Sequence, residues 1–181
     1  MAGLLSEIKD RILIYTEGNH EMRLMKEVGI SAGSFICGRL GILDKFAPDG
    51  GVVFLRFGHN MARNSEGRKM SYVLYATHGD GTGGGRKVGS KANAVENMAS
   101  IIDADAYFHA HSHEPIVFKQ NFFRVVPCSN AVNEVERLFV NSSSQLNHGG
   151  YGERFGFSPS SRAFVTVRLN GTRREMKATI E

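Results

Sequence analysis

Cysteine is scarce. The 181 residues contain two, Cys37 and Cys128, far apart and outside any C-x-x-C spacing. That excludes a disulfide framework and a cysteine zinc site, and it reads as two free thiols in a reducing compartment. Long apolar runs are also lacking, and none approaches the ~18 residues that would span a bilayer. Leu4-Leu5 is followed at once by Glu7 and Lys9, so no secretory leader is visible and the cytoplasm is the expected location. There is no internal repeat. Despite 21 glycines, the G-x-x-x-x-G-K-[ST] phosphate loop is absent. A strong charge imbalance is missing too: 22 Lys and Arg against 18 Asp and Glu give a net charge of +4, which is compatible with a phosphate-bearing ligand without requiring one.

The hydrophobic fraction of 41% and the charged fraction of 22% are those of an ordinary globular protein, and the length suits a single domain with a substantial core. Residues 4–8 read as a helix end. Ile12 to Tyr15 form a short apolar run that suits a strand buried on both faces. Met22 to Val28 read as a helix stopped at Gly29. The stretch 31–51 carries no clear signal, with loops around Pro48-Asp49-Gly50-Gly51. Val52–Phe57 and Tyr72–Ala76 read as strands. Ser90 is a plausible N-cap for a helix over about residues 91–102. Ala106–His109 is the next strand. Ile116–Phe118 and Phe122–Val126 suggest a hairpin around Gln120-Asn121. Residues 141–161 read as a long loop, and Asn170-Gly171 joins two final strands. The order is β-α-β-β-α-β followed by antiparallel hairpins: an α/β domain with a mixed sheet or two sheets.

Chemistry concentrates at three predicted strand ends. The first is Gly18-Asn19-His20-Glu21, the second Thr77-His78-Gly79, and the third Tyr107-Phe108-His109-Ala110-His111-Ser112-His113-Glu114-Pro115. Three alternating imidazoles fall on one face of an extended backbone. Imidazole nitrogen is the commonest side-chain metal donor and suits Zn, Mn or Fe. Strand ends of one sheet converge, so three separate donor stretches point to a shared cation more strongly than any one of them does. The glycine-rich stretch 79–89 carries Arg86 and Lys87 and runs toward Lys91. It is either a flexible connection or a substrate loop whose amides meet phosphate oxygens. Arg63, Arg68, Lys69, Arg86, Lys87 and Lys91 form either a nucleic-acid track or a solvated basic face. His59 and His148 have no neighbours at ligand spacing.

These motifs resemble those of calcineurin-like metallophosphoesterases. Gly18-Asn19-His20-Glu21 is similar to that family's Gly-Asn-His-Asp/Glu motif, and Thr77-His78-Gly79 to its later His-Gly motif. Ala110-His111-Ser112-His113, with Pro115 following, is similar to its Gly-His-x-His motif, with Ala110 in place of glycine. The likeness covers roughly residues 12–127. It implies an αββα sandwich with mixed sheets and a two-metal centre hydrolysing phosphate mono- or diesters, with nucleic acid among the candidate substrates. Asn19, His78 and His111 would bind one ion and His113 the other. His20, positioned by Glu21, would act at the leaving oxygen. Arg86 and Lys87 would meet the substrate. His109 is expected to be a supporting residue.

One departure bears on activity. The family's Asp-x-His and Gly-Asp motifs, which supply the bridging carboxylate, do not precede Gly18; no Asp-x-His occurs anywhere, and Gly79-Asp80 already belongs to the His-Gly motif. The expectation is a domain without its N-terminal strands, impaired as an isolated chain. An unpaired apolar edge beside residues 12–15 would invite a second polypeptide or self-association. Two alternatives stand: a non-catalytic binding or scaffold protein retaining the fold, and a single-metal protein using Asn19, His78 and His111.

Overall fold

The structure, a computed structural model, describes residues 2–58, 70–79, 87–145 and 161–181. Among them the chain forms helix α1 (Ala2–Leu5), α2 (Asn19–Val28), α3 (Ala32–Leu40) and α4 (Val88–Glu96), and strands β1 (Gly51–Phe57), β2 (Met70–Ala76), β3 (Ala106–His109), β4 (Ile116–Val126), β5 (Ala131–Asn141), β6 (Val165–Leu169) and β7 (Met176–Ile180). Short 3-10 turns follow α1 and α4. No helix among the described residues is long and apolar enough to cross a membrane.

The main sheet has the order β1-β2-β3-β5-β4. Its centre is parallel, β2 beside β3 and β3 beside β5, and its edges are antiparallel, β1 on β2 and β4 on β5. The central strands are apolar on both faces because both faces are covered. On one side Tyr107, Phe139 and Ala104 pack against Val95 and Met98, at the end of α4 and the turn after it. Phe139 is the centre of this layer, with Tyr107 and Phe118 stacked on it at centroid distances of 4.9 and 4.8 Å. On the other side Met70, Tyr72, Leu74, Ala106, Leu138 and Val140 meet Met176 and the inward residues of the β6–β7 hairpin. The fully buried Tyr72 fastens that hairpin: its hydroxyl lies 2.7 to 3.1 Å from the carbonyls of Asn170, Arg173 and Glu175 and from the amide of Glu175. Asp105, also buried, accepts from the Val73 amide and pairs with Arg174. A mixed α/β fold with two sheets is therefore as the sequence indicated.

Several boundaries differ. Ile12 to Tyr15 do not form a strand; a single parallel bridge joins Tyr15 to Phe46, and Leu13 is half exposed. The apolar run instead packs sideways, Ile12 and Tyr15 sitting on a separate cluster of Cys37, Leu40 and Ile42. The expected apolar strand edge at residues 12–15 is thus not formed. The ambiguous stretch after Ser31 holds α3, capped by the Ser31 hydroxyl accepting from the Ser34 amide and ended by Gly41 at φ 73°. Ser90 lies inside α4, whose N-cap is Lys87. Gln120 and Asn121 are not a turn: β4 runs straight through them, paired with Arg137 and Glu136. The reversal comes at Pro127–Ser129, with Asn130 at φ 49° closing it. Both thiols are free, Cys37 buried and Cys128 exposed.

Candidate metal centre

The parallel centre of the sheet decides where the chemistry falls. β2 and β3 run the same way, so the residues just past their C-terminal ends emerge side by side. His78 follows β2 by two residues; His109 ends β3, and His111 and His113 follow it. The link is continuous in backbone hydrogen bonds: the Thr77 amide donates to the Phe108 carbonyl, and the Ala110 amide to the His78 carbonyl.

His78 and His111 meet. Their rings stand edge to face, centroids 5.3 Å apart, with His78 Nε2 3.3 Å from His111 Nδ1. Two nitrogens each ~2.1 Å from one ion, at ~90–109° to each other, lie ~3.0–3.4 Å apart. The 3.3 Å separation is that of a hydrogen bond between the two ring nitrogens, and it also falls within this range. Both His111 and His113 adopt left-handed backbone, each at φ 58°. Such residues cost ~1–2 kcal/mol apiece, and they cluster where surrounding structure over-determines them.

The third stretch arrives through a turn. The Gly18 amide donates to Glu21 Oε2 at 3.1 Å, half of a capping box at the start of α2. Gly18 lies against the His78 ring: a Cβ there would fall 2.8 Å from Glu21 Oε2 and 3.1 Å from His78 Cε1. A side chain at residue 18 would require Glu21 and the imidazole to shift. Asn19 is the first residue of α2, immediately beyond that contact. The segment just before it is pinned by Glu17, a buried carboxylate accepting from the Gly33 amide at 2.6 Å and the Ser31 hydroxyl at 2.7 Å.

Electrostatics ties the groups together. Burial pushes the His78 imidazole below its usual range; His111, His109 and His113 push it further down, and Glu21 opposes them. His113 is also lowered, first by desolvation, then by His111, Lys91 and His20. Lowered imidazoles are neutral at pH 7 and present the lone pair a metal needs. Lys91 forms an ion pair with Glu114, Nζ to Oε2 3.2 Å.

The expected residues thus divide. His78 and His111 are in contact; Asn19, through Gly18, begins beside them; His20 and His113 lie near enough for their charges to interact. Glu21 Oε2 accepts from the Gly18 amide. Among the described residues no three His, Cys, Asp or Glu side chains gather closely enough to hold a metal ion. Of the basic residues, Lys87 is exposed at the start of α4 and Lys91 is paired with Glu114. Arg63, Arg68, Lys69 and Arg86 lie outside the described residues, as do His59 and His148. Sequence reasoning missed Asn141, which is fully buried at the end of β5 and touches the His109–Glu114 stretch. Its signal is present only in three dimensions, in the parallel register that places Asn141 opposite His109.

Comparison with protein-family models, curated proteins and solved structures finds no match to this chain. The fold and its strand-end histidines define an α/β protein with a mixed five-stranded sheet and an imidazole cluster at one end.

Proposed function

We propose that this chain carries a divalent-metal centre for phosphate-ester hydrolysis, of the calcineurin-like type its motifs resemble, on an αββα frame. The single observation behind the reading is the contact of His78 with His111, their ring nitrogens 3.3 Å apart, with Gly18, the residue before Asn19, against the same His78 ring. The donor set fits a borderline cation such as Zn, Mn or Fe: two neutral imidazoles and an amide oxygen. Asn19, His78 and His111 would hold one ion, and His113 would face a second. When bound, such ions polarise phosphoryl oxygens and lower the pKa of coordinated water. The chain's own residues would do the rest: His20 at the helix start would meet the leaving oxygen, and Lys87 with Arg86 would contact the ester, nucleic acid being one candidate.

The 181 residues contain no Asp-x-His, so the ligand set supports one ion better than two. The expected behaviour is one Zn²⁺ or Mn²⁺ per chain, metal-dependent binding of inorganic phosphate, and turnover of bis(p-nitrophenyl) phosphate near background. Phosphate binding that survives chelation, or rapid turnover by this chain, would contradict the reading. A binding or scaffold role on the same fold is the second reading. It is favoured by the absence, among the described residues, of a three-donor cluster. The exposed Met22, Met25, Val28 and Ile30 also favour it, as apolar surface for a second polypeptide or copy.

A further inference from the structure

Asn141 is fully buried, yet it is a polar side chain at the edge of the site. Its Nδ2 donates to the Ser112 hydroxyl at 2.7 Å and to the Glu114 carbonyl. A backbone carbonyl only accepts, so the amide orientation is fixed: Nδ2 faces Glu114, and Oδ1 faces the other way. Oδ1 lies 2.8 Å from His109 Nδ1. An amide oxygen also only accepts, so His109 Nδ1 must carry a hydrogen. In the neutral ring the lone pair is then on Nε2. That nitrogen abuts the turn after His78, where a Cβ on Gly79 would sit 2.1 Å away. The sheet makes the contact inevitable, because His109 and Asn141 are register partners on adjacent parallel strands, and the Ser142 amide donates to the His109 carbonyl at 2.8 Å.

One amide therefore touches both histidine-bearing stretches. Through His109 it braces the Gly79 turn that carries His78. Through Ser112 and Glu114 it holds both ends of the segment containing His113, with the left-handed His111 just before it. We propose that Asn141 is a positioning residue of the imidazole cluster, setting the tautomer of His109 and holding the turn that aims His111 and His113. Its consequence for metal affinity rests on the metal-centre reading above; its effect on the histidines does not.

The test has two arms. In the metal-free protein, long-range proton–nitrogen spectra report each ring's tautomer. His109 is expected as the Nδ1–H form in the wild type, retained in Asn141→Asp, which keeps an oxygen acceptor, and lost in Asn141→Ala. The His111 and His113 resonances are expected to move in both variants, since both lack the Nδ2 donors. Zn²⁺ titration calorimetry is the second arm, with weakening of ~10–100-fold expected for either variant. An Nε2–H His109 in the wild type would overturn the proposal without any variant needing to fold. So would a folded Asn141→Ala whose His111 and His113 resonances are unmoved, or whose Zn²⁺ affinity equals wild type. If the wild type binds no Zn²⁺, the metal-centre reading fails, while the spectra still decide the role of Asn141.

Discussion

Replacing Gly79 by alanine would strike the structure at the point where the two histidine stretches touch. Gly79 sits at φ 83°, and a Cβ there would lie 2.1 Å from His109 Nε2, 2.8 Å from Cε1 and 2.9 Å from Cδ2. The clash is with a ring held in place by Asn141, not with the tip of a flexible side chain. Two costs add. Left-handed backbone costs an alanine ~1–2 kcal/mol. Displacing His109 leaves a buried amide oxygen unsatisfied, worth ~1–3 kcal/mol. The sum is about 3 kcal/mol, which for a chain of this length lowers Tm by ~6–12 °C. Calorimetry and urea unfolding would measure it, with Gly89→Ala as the control. Gly89 lies inside α4 with nothing near its added Cβ, so alanine there should raise stability by ~0.5–1 kcal/mol. If Gly79→Ala were as stable as wild type to within ~0.5 kcal/mol, the turn could move away from His109, and the rigid packing of the cluster would be wrong.

Two further outcomes are expected. Glu17→Ala should cost ~2–4 kcal/mol in urea unfolding, because it strips the buried Gly33 amide and Ser31 hydroxyl of their acceptor; Glu17→Gln, which keeps an oxygen there, should recover part of it. Glu175 is held by Arg173, Lys177 and Asn170, and its carboxyl is lowered from 4.5 to about 2. A depressed carboxyl stabilises in full above its unfolded value and loses that stabilisation as pH falls toward the folded one. The stability gap between wild type and Glu175→Gln should therefore be constant above pH ~5 and shrink between pH ~4.5 and ~2; a gap that widens on acidification would refute the assignment.

Three strands of the main sheet were legible, because Val52–Phe57, Tyr72–Ala76 and Ala106–His109 are short β-rich runs bounded by turn residues, and they lie within β1, β2 and β3; β5, which completes the parallel centre, was not. Asn170-Gly171 marked the β6–β7 connection correctly, although the link is longer than two residues: Asn170 Oδ1 gathers the Thr172 and Arg173 amides into an Asx-type turn. Other features were hidden for physical reasons. Gln120 and Asn121 are polar because β4 is an exposed edge strand, and polarity at an edge imitates a turn. The real reversal had its own signal in Pro127 and Asn130. Helix α3 was obscured by Gly33 and Gly38; Gly33 is needed because a Cβ would fall 2.7 Å from Glu17 Cγ and Phe46 Cε2. Ile12–Tyr15 looks like a buried strand because an apolar run does not say which surface will cover it, and here it is the α3 cluster. Of the site, the histidines could be named from spacing alone. The contact of His78 with His111 could be expected only from strand ends converging, and the part played by Asn141 needed the β3–β5 register.

The claim on which the functional account rests is that His78 and His111 share one cation with Asn19 beside them. X-ray absorption spectroscopy on the Zn²⁺-loaded chain tests it most directly. The expected spectrum is one ion per chain with two imidazole nitrogens at ~2.0–2.1 Å and oxygen donors completing the shell, with one imidazole lost in His78→Ala or His111→Ala. No saturable Zn²⁺, or a shell unchanged by both substitutions, would contradict it.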